Sequence, residues 1–158
     1  KGMWKESLDF EEATAKAIPE NTDLFIEGHC RFDVPTAIEL SYSLGNLDIG
    51  WFEEPVAYWN TQGLTEVSQR SPVRIATGEN LTRFSDFIEL TRHTRNLVLQ
   101  PDVMNLGGLE EARLVCDMGA IFMLPSGRTW RSQHLVSILI LPKCSQPGTW
   151  FTESKHRS

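Results

Sequence analysis

The stretch DLFIEGHCRF, residues 23–32, decides the fold. Leu24, Phe25 and Ile26 form a short apolar run that reads as a buried strand, and it runs straight into Glu27, Gly28 and His29. An unpaired carboxylate is costly to bury and usually neutralises instead. A strand that ends this way therefore asks for a partner for its acid. Side chains two apart on a strand share a face, so Glu27 and His29 are expected to share one site.

Working outward, the same unit repeats. After the strand, DVPTAIELSYSLGN reads as a helix, with Pro35 at an early position and Ala37, Ile38, Leu40 and Leu44 as its apolar stripe. DIGWFEEP is the next strand and TQGLTEVSQR the next helix. VRIATGE and RFSDFIELTRHT repeat the pattern, then NLVLQPD and GLEEARLVCDMG, the last helix closing at Gly119, a good capping residue. AIFMLPSG is one more strand, and KESLDFEEATAKAI at the start reads as a helix without a strand before it. Strands alternating with helices of this length mean βαβ units and a parallel sheet. Two architectures fit: a doubly wound sheet, or part of a (β/α)8-type barrel, in which case the barrel is incomplete.

Acids recur in phase with this alternation. Glu27 ends the first strand, Glu53 (with Glu54) the second, Glu79 the third and Asp102 the fourth, each about one βα unit after the last. A single acid at a strand end is ordinarily a helix cap or a surface group. In a barrel, however, successive strand ends are neighbours around one mouth, and several carboxylates there repel one another. A divalent cation removes that repulsion, and oxygen-only ligands select a hard ion such as Mg²⁺.

The motifs LFIEGHCRFDVPTAIEL, WFEEPV, IATGENLTRFSDF and LVLQPDVMNLGGLEEARLV, in this order, resemble the enolase superfamily, and more closely its mandelate racemase / muconate lactonizing branch, which includes sugar-acid dehydratases. The resemblance runs from about Leu24 to Gly119. It implies a parallel barrel domain and Mg²⁺ held by Glu27, Glu53 and Glu79, with Glu54 as a supporting acid. Glu27 stands where the family usually has Asp. Asp102 matches an acid that pairs with a catalytic His on the next strand, and His29 matches a His that serves as general acid in the acid-sugar dehydratases. The implied chemistry is abstraction of the proton α to a carboxylate. The resulting charge is stabilised by the metal, and loss of a β-hydroxyl as water follows. The substrate implied is a small carboxylate, a sugar acid or hydroxy acid.

Two departures matter. The family's seventh strand ends in Pro-His, whereas FMLPSGRTW offers Pro125 and Ser126, and no K-x-K base motif precedes Glu27. A separate lid domain has no counterpart in the motifs either. The expectation is a fragment: a partial barrel over 1–127 and a divergent segment over 128–158. Besides dehydration, two alternatives stand: a racemase or cycloisomerase of the same branch, or an inactive piece that acts as a metal-binding or interaction module.

Bulk properties narrow the partners. A net charge of −6 over 158 residues argues against sequence-independent nucleic-acid binding. Three dispersed cysteines without a C-x-x-C fit a reducing cytoplasm, and the first residues do not look like a signal peptide. The longest apolar run, from Leu135 to Leu141, is far short of the ~20 residues that span a bilayer and reads as core. The exposed strand edges of a partial barrel are open to pairing, so a homo-oligomer is an expected form.

Overall fold

The computed structural model describes residues 5–19, 22–121 and 135–139. The chain alternates helix and strand throughout: α1 (Lys5–Ala17), β1 (Asp23–Glu27), α2 (Val34–Leu44), β2 (Phe52–Glu53), α3 (Thr61–Arg70), β3 (Ile75–Thr77), α4 (Phe84–His93), β4 (Leu97–Leu99), α5 (Leu109–Ile121) and β5 (Leu135–Leu139). All the strand pairs are parallel, in the order β4-β3-β2-β1-β5.

Local chemistry sets the helix boundaries. Asp33 caps α2 by accepting from the Thr36 backbone N–H at 2.8 Å, with Pro35 just inside. Asn60 does the same for α3 through the Gly63 N–H at 2.9 Å. The alternation of strand residues then builds two layers. Leu24 and Ile26, Phe52, Ile75, Leu97 and Leu99 join one core with the apolar stripes of the helices. Phe25, Trp51, Ala76 and Val98 form a second, separate cluster with no helical member. The Phe25 and Trp51 ring centroids lie 3.8 Å apart there. Each large side chain so buried contributes about 1.5–3 kcal/mol.

This layering decides between the two architectures. A doubly wound sheet carries helices on both faces. Here the helices pack on one face and the other is lined by strand side chains alone, as in the wall of a (β/α)8-type barrel. Strands β1 to β4 follow one another around that wall in chain order. The protein is thus a partial parallel barrel.

Two expectations change. Gly119 does not close α5: the helix runs through it to Ile121, so Ala120 and Ile121 are helical rather than the start of a strand. A mid-helix glycine costs about 1 kcal/mol relative to alanine, and burial of Val115 and Met118 in the core carries the helix past it. The remainder of the strand expected at 120–127 lies outside the described residues. The apolar run beginning at Leu135, read as core, forms β5, which pairs along the whole of β1 from Asp23↔Leu135 to Glu27↔Leu139. A residue from the segment set apart as divergent therefore faces every residue of the strand that carries Glu27.

One buried acid lies away from the strand ends. Glu11 of α1 is 1% exposed, and its Oε2 has no hydrogen-bond partner among the described residues. Burial pushes its carboxyl up to about 7. An acid whose folded pKa is raised stabilises the fold fully below its unfolded value, and that contribution is lost as pH rises through the folded value. Thermal melts of the native chain should therefore lose stability between about pH 4.5 and 7 relative to Glu11→Gln, by on the order of 3 kcal/mol. Parallel melting curves for the two proteins across this range would contradict the assignment.

Candidate active site at the strand ends

The site begins with register. Glu27 and Glu53 are the last residues of adjacent strands and lie opposite each other in the parallel ladder. Each is two positions beyond a member of the inner cluster, Phe25 and Trp51, so both belong to the barrel face. Local donors hold them. Glu27 Oε1 accepts from the His29 N–H at 2.6 Å, and Glu53 Oε2 accepts from Trp51 Nε1 at 2.9 Å. Glu79 lies two residues beyond β3, within a turn. Its Oε1 accepts from Asn80 Nδ2 at 3.4 Å, and its backbone carbonyl from Asn105 Nδ2 at 2.8 Å.

The three carboxylates sense one another. Burial, then the charge of Glu53, pushes Glu27 up to about 8 against the opposing His29 N–H, with a hydrogen bond to Glu53 and the charge of Glu79 adding to the rise. Glu79 is also raised, first by burial and then by the charges of Glu53 and Glu54, while His29 and Asn80 pull it down. Glu27 is thus held toward its protonated form beside Glu53, as expected of an acid that ionises poorly next to another.

Glu54 occupies a different environment. It is 1% exposed and adopts a left-handed backbone, φ 39°. Its Oε1 accepts from Thr77 Oγ1 at 2.7 Å and from the Gly78 N–H at 3.0 Å, and its Oε2 from Cys30 Sγ at 3.0 Å. Burial, and then the bond to Glu54, pushes the Cys30 thiol up to about 12, so it remains a protonated donor. The loop after β1 runs close alongside these residues. Gly28 N–H donates to Glu53 O at 2.7 Å and Cys30 N–H to Glu54 O at 2.6 Å. A Cβ on Gly28 would come within 2.9 Å of Pro55 Cα and 3.0 Å of two carbonyl oxygens, so only glycine allows this approach.

The structure brings some of the sequence-predicted residues together and leaves others apart. Glu27, Glu53 and Glu79 come together electrostatically. His29 reaches the same region by another route than expected: β1 stops at Glu27, and His29 (φ 48°) and Cys30 (φ 59°) form a left-handed turn, so strand alternation does not govern it. Its influence on Glu79 nevertheless keeps it at the mouth. Asp102 stands apart. It lies three residues past β4, and its Oδ1 accepts from the Met104 N–H at 2.8 Å as a turn cap. Trp51, Cys30 and Thr77 went unrecognised as supporting residues. The position of Trp51 two before Glu53 was a readable signal; the other two carried none in the sequence.

The donors suit a hard divalent cation: all are carboxylate oxygens. Among the described residues, however, no three His, Cys, Asp or Glu side chains already stand as a closed ligand cluster. Two clefts lie elsewhere. One of about 300 Å³ runs beside Tyr58, Trp59 and Arg83, and one of about 460 Å³ lies at the opposite strand ends beside Asp23, Asp48 and Arg74. The acids line neither. No helix among the described residues is long and apolar enough to cross a membrane.

The chain is similar to known proteins in sequence and in fold. D-xylonate dehydratase of Haloferax volcanii is 27% identical over 118 residues, 75% of this chain and 29% of that protein. A racemase from Streptomyces coelicolor A3(2) with bound magnesium superposes with a TM-score of 0.73 at 28% identity, over 77% of this chain and 34% of the racemase. L-talarate dehydratase from Polaromonas sp. JS666, complexed with Mg and L-glucarate, gives 0.69 at 25% identity, over 76% of this chain and 34% of the dehydratase. The chain thus spans about a third or less of the length of these relatives. The family described as enolase C-terminal domain-like matches residues 1–153, nearly the whole sequence. On that match, and with sugar-acid dehydratases and a racemase among its relatives, this chain belongs to the enolase C-terminal domain-like family, in its mandelate racemase / muconate lactonizing branch.

Proposed function

We propose that the chain is the metal-binding part of a Mg²⁺-dependent enzyme that removes the proton α to the carboxylate of a sugar acid and then eliminates water. The observation that carries this is the register that sets Glu27 opposite Glu53 at neighbouring strand ends, with the charges of Glu53 and Glu79 both acting on Glu27. In this reading Glu27, Glu53 and Glu79 hold Mg²⁺. When bound, the ion supplies charge stabilisation for an enediolate. Support comes from the Mg-bound relatives.

The chain's own residues divide the remaining work. Trp51 Nε1 orients the Glu53 carboxylate and the His29 N–H orients that of Glu27. His29, exposed at the mouth, donates a proton to the departing β-hydroxyl. Asp102 acts as a partner for a base carried elsewhere in the enzyme. A racemase or cycloisomerase reading is favoured by the similarity to the racemase. The two differ at His29, because elimination needs an acid there and epimerisation does not.

Two measurements test this. Millimolar Mg²⁺ should raise the melting temperature of the chain, the gain approaching ~2.7 kcal/mol at a hundredfold excess over Kd. Glu53→Gln should melt higher than the native chain without metal, since a repulsive partner is gone, and should lose the Mg²⁺ response. A native melting curve indifferent to Mg²⁺ would sink the metal assignment. Separately, the whole enzyme, with its base present, should convert members of a panel of sugar acids to dehydrated keto acids in the presence of Mg²⁺. His29→Asn should slow that reaction by roughly 10²–10⁴-fold while leaving exchange of the α-proton with deuterated solvent intact. Equal loss of both activities would assign His29 a role other than the leaving-group acid.

A further inference from the structure

We infer that Gln100 is a specificity-determining residue whose side-chain carbonyl accepts a hydrogen bond from a hydroxyl of the bound substrate; this rests on the sugar-acid reading above. The ladder leads from the acids to this residue. Glu27 pairs with Glu53, Glu53 with Ala76 and Ala76 with Val98, so these residues form one level across β1 to β4. Ala76 and Val98 belong to the inner cluster, which puts the level on the barrel face. Gln100 lies two residues beyond Val98, and its N–H continues the pairing by donating to Thr77 O at 3.0 Å. Its side chain therefore falls on the same face, one level nearer the mouth than Glu27 and Glu53. Between Glu53 and Gln100, β3 brings only Ala76 to this face, and the residue level with Gln100 is Gly78. No bulky side chain of that strand separates the amide from the acids.

The amide itself asks for a ligand. Gln100 is half-buried, and its Oε1 is buried outright with no hydrogen-bond partner among the described residues. A buried carbonyl is costly to leave unpaired, and what it needs is a donor. Glu27, Glu53 and Glu79, once ionised around a cation, are acceptors only. The carboxylate of a substrate is an acceptor as well. The hydroxyls of a sugar acid are donors, and the Nε2 of the same amide donates in return to a neighbouring hydroxyl oxygen. The amide is neutral, so it reads hydroxyls without competing for the cation. A site built to pair with a hydroxyl rejects an analogue lacking it more sharply than an apolar pocket rejects a change of size, because the buried group is then left unpaired. Gln100 thus distinguishes a polyhydroxy acid from a less hydroxylated one.

The test uses the whole enzyme with Mg²⁺ and titration calorimetry, alongside melting curves without ligand. The probes are two aldonates, D-gluconate and D-xylonate, and their forms lacking one hydroxyl beyond the β carbon. Gln100→Met and Gln100→Leu both remove the amide and differ in shape. The native enzyme should prefer a parent aldonate to one of its deoxy forms by about tenfold or more. In both variants affinity for the parent should fall by about that factor while affinity for that deoxy form stays, so the preference disappears. Without ligand, at least one variant should melt no lower than the native enzyme, because a buried unpaired carbonyl is gone. Equal losses for the parent and every deoxy form overturn the inference. So does a lowered melting temperature in both variants, which would show that the protein itself holds the carbonyl. A native enzyme that binds neither aldonate overturns the sugar-acid reading, and the inference with it, and that outcome is seen before any variant is compared.

Discussion

The parallel pairing of β1 with β2 places Glu27 opposite Glu53, and the rest of the site depends on that register. A slip of one residue would turn one of the two acids toward the helices and bury it among aliphatic side chains. The register is held from below. Phe25 and Trp51, two residues earlier on the same strands, stack at 3.8 Å and must stay level with each other. Trp51 also reaches up to Glu53 through its indole N–H. A single aromatic contact thus serves the core and the chemistry together.

That arrangement works against stability. Two acids at neighbouring strand ends repel when both ionise, and no Lys or Arg among the described residues forms an ion pair with either. The ion pairs among the described residues lie on the helix surfaces, where they contribute little. The stabilising side of the balance is the apolar layer between strands and helices, from Leu24 to Met118. The fold holds its carboxylates together by hydrophobic packing and keeps their charges unmatched. Unmatched charge held in place is what gives a site differential affinity for a cation.

Much of this was legible in the sequence because the relevant signals are local and periodic. The alternation of apolar strands with helices located α2 through α5 and β1 through β4. The in-phase acids located Glu27, Glu53 and Glu79. What escaped is what depends on three dimensions. The turn at His29 and Cys30 is left-handed, although neither residue type announces it. Gly119 sits inside a helix because packing on Val115 and Met118 outweighs its preference for a cap. The pairing of β5 with β1 joins segments more than a hundred residues apart, which no local pattern encodes.

Glu53 and Glu54 show how neighbouring residues of one type acquire opposite roles. Both are glutamates in the same motif, and composition cannot separate them. Glu53 follows Trp51 on the inner face and keeps partial access to solvent. Glu54 leaves the strand with a left-handed φ and is enclosed by Thr77, Gly78 and Cys30. Exposure makes the first a donor that a cation can reach. Enclosure commits the hydrogen bonds of the second to the protein. Environment rather than residue type divides ligand from support, and one change of backbone conformation between consecutive residues is enough to produce the difference.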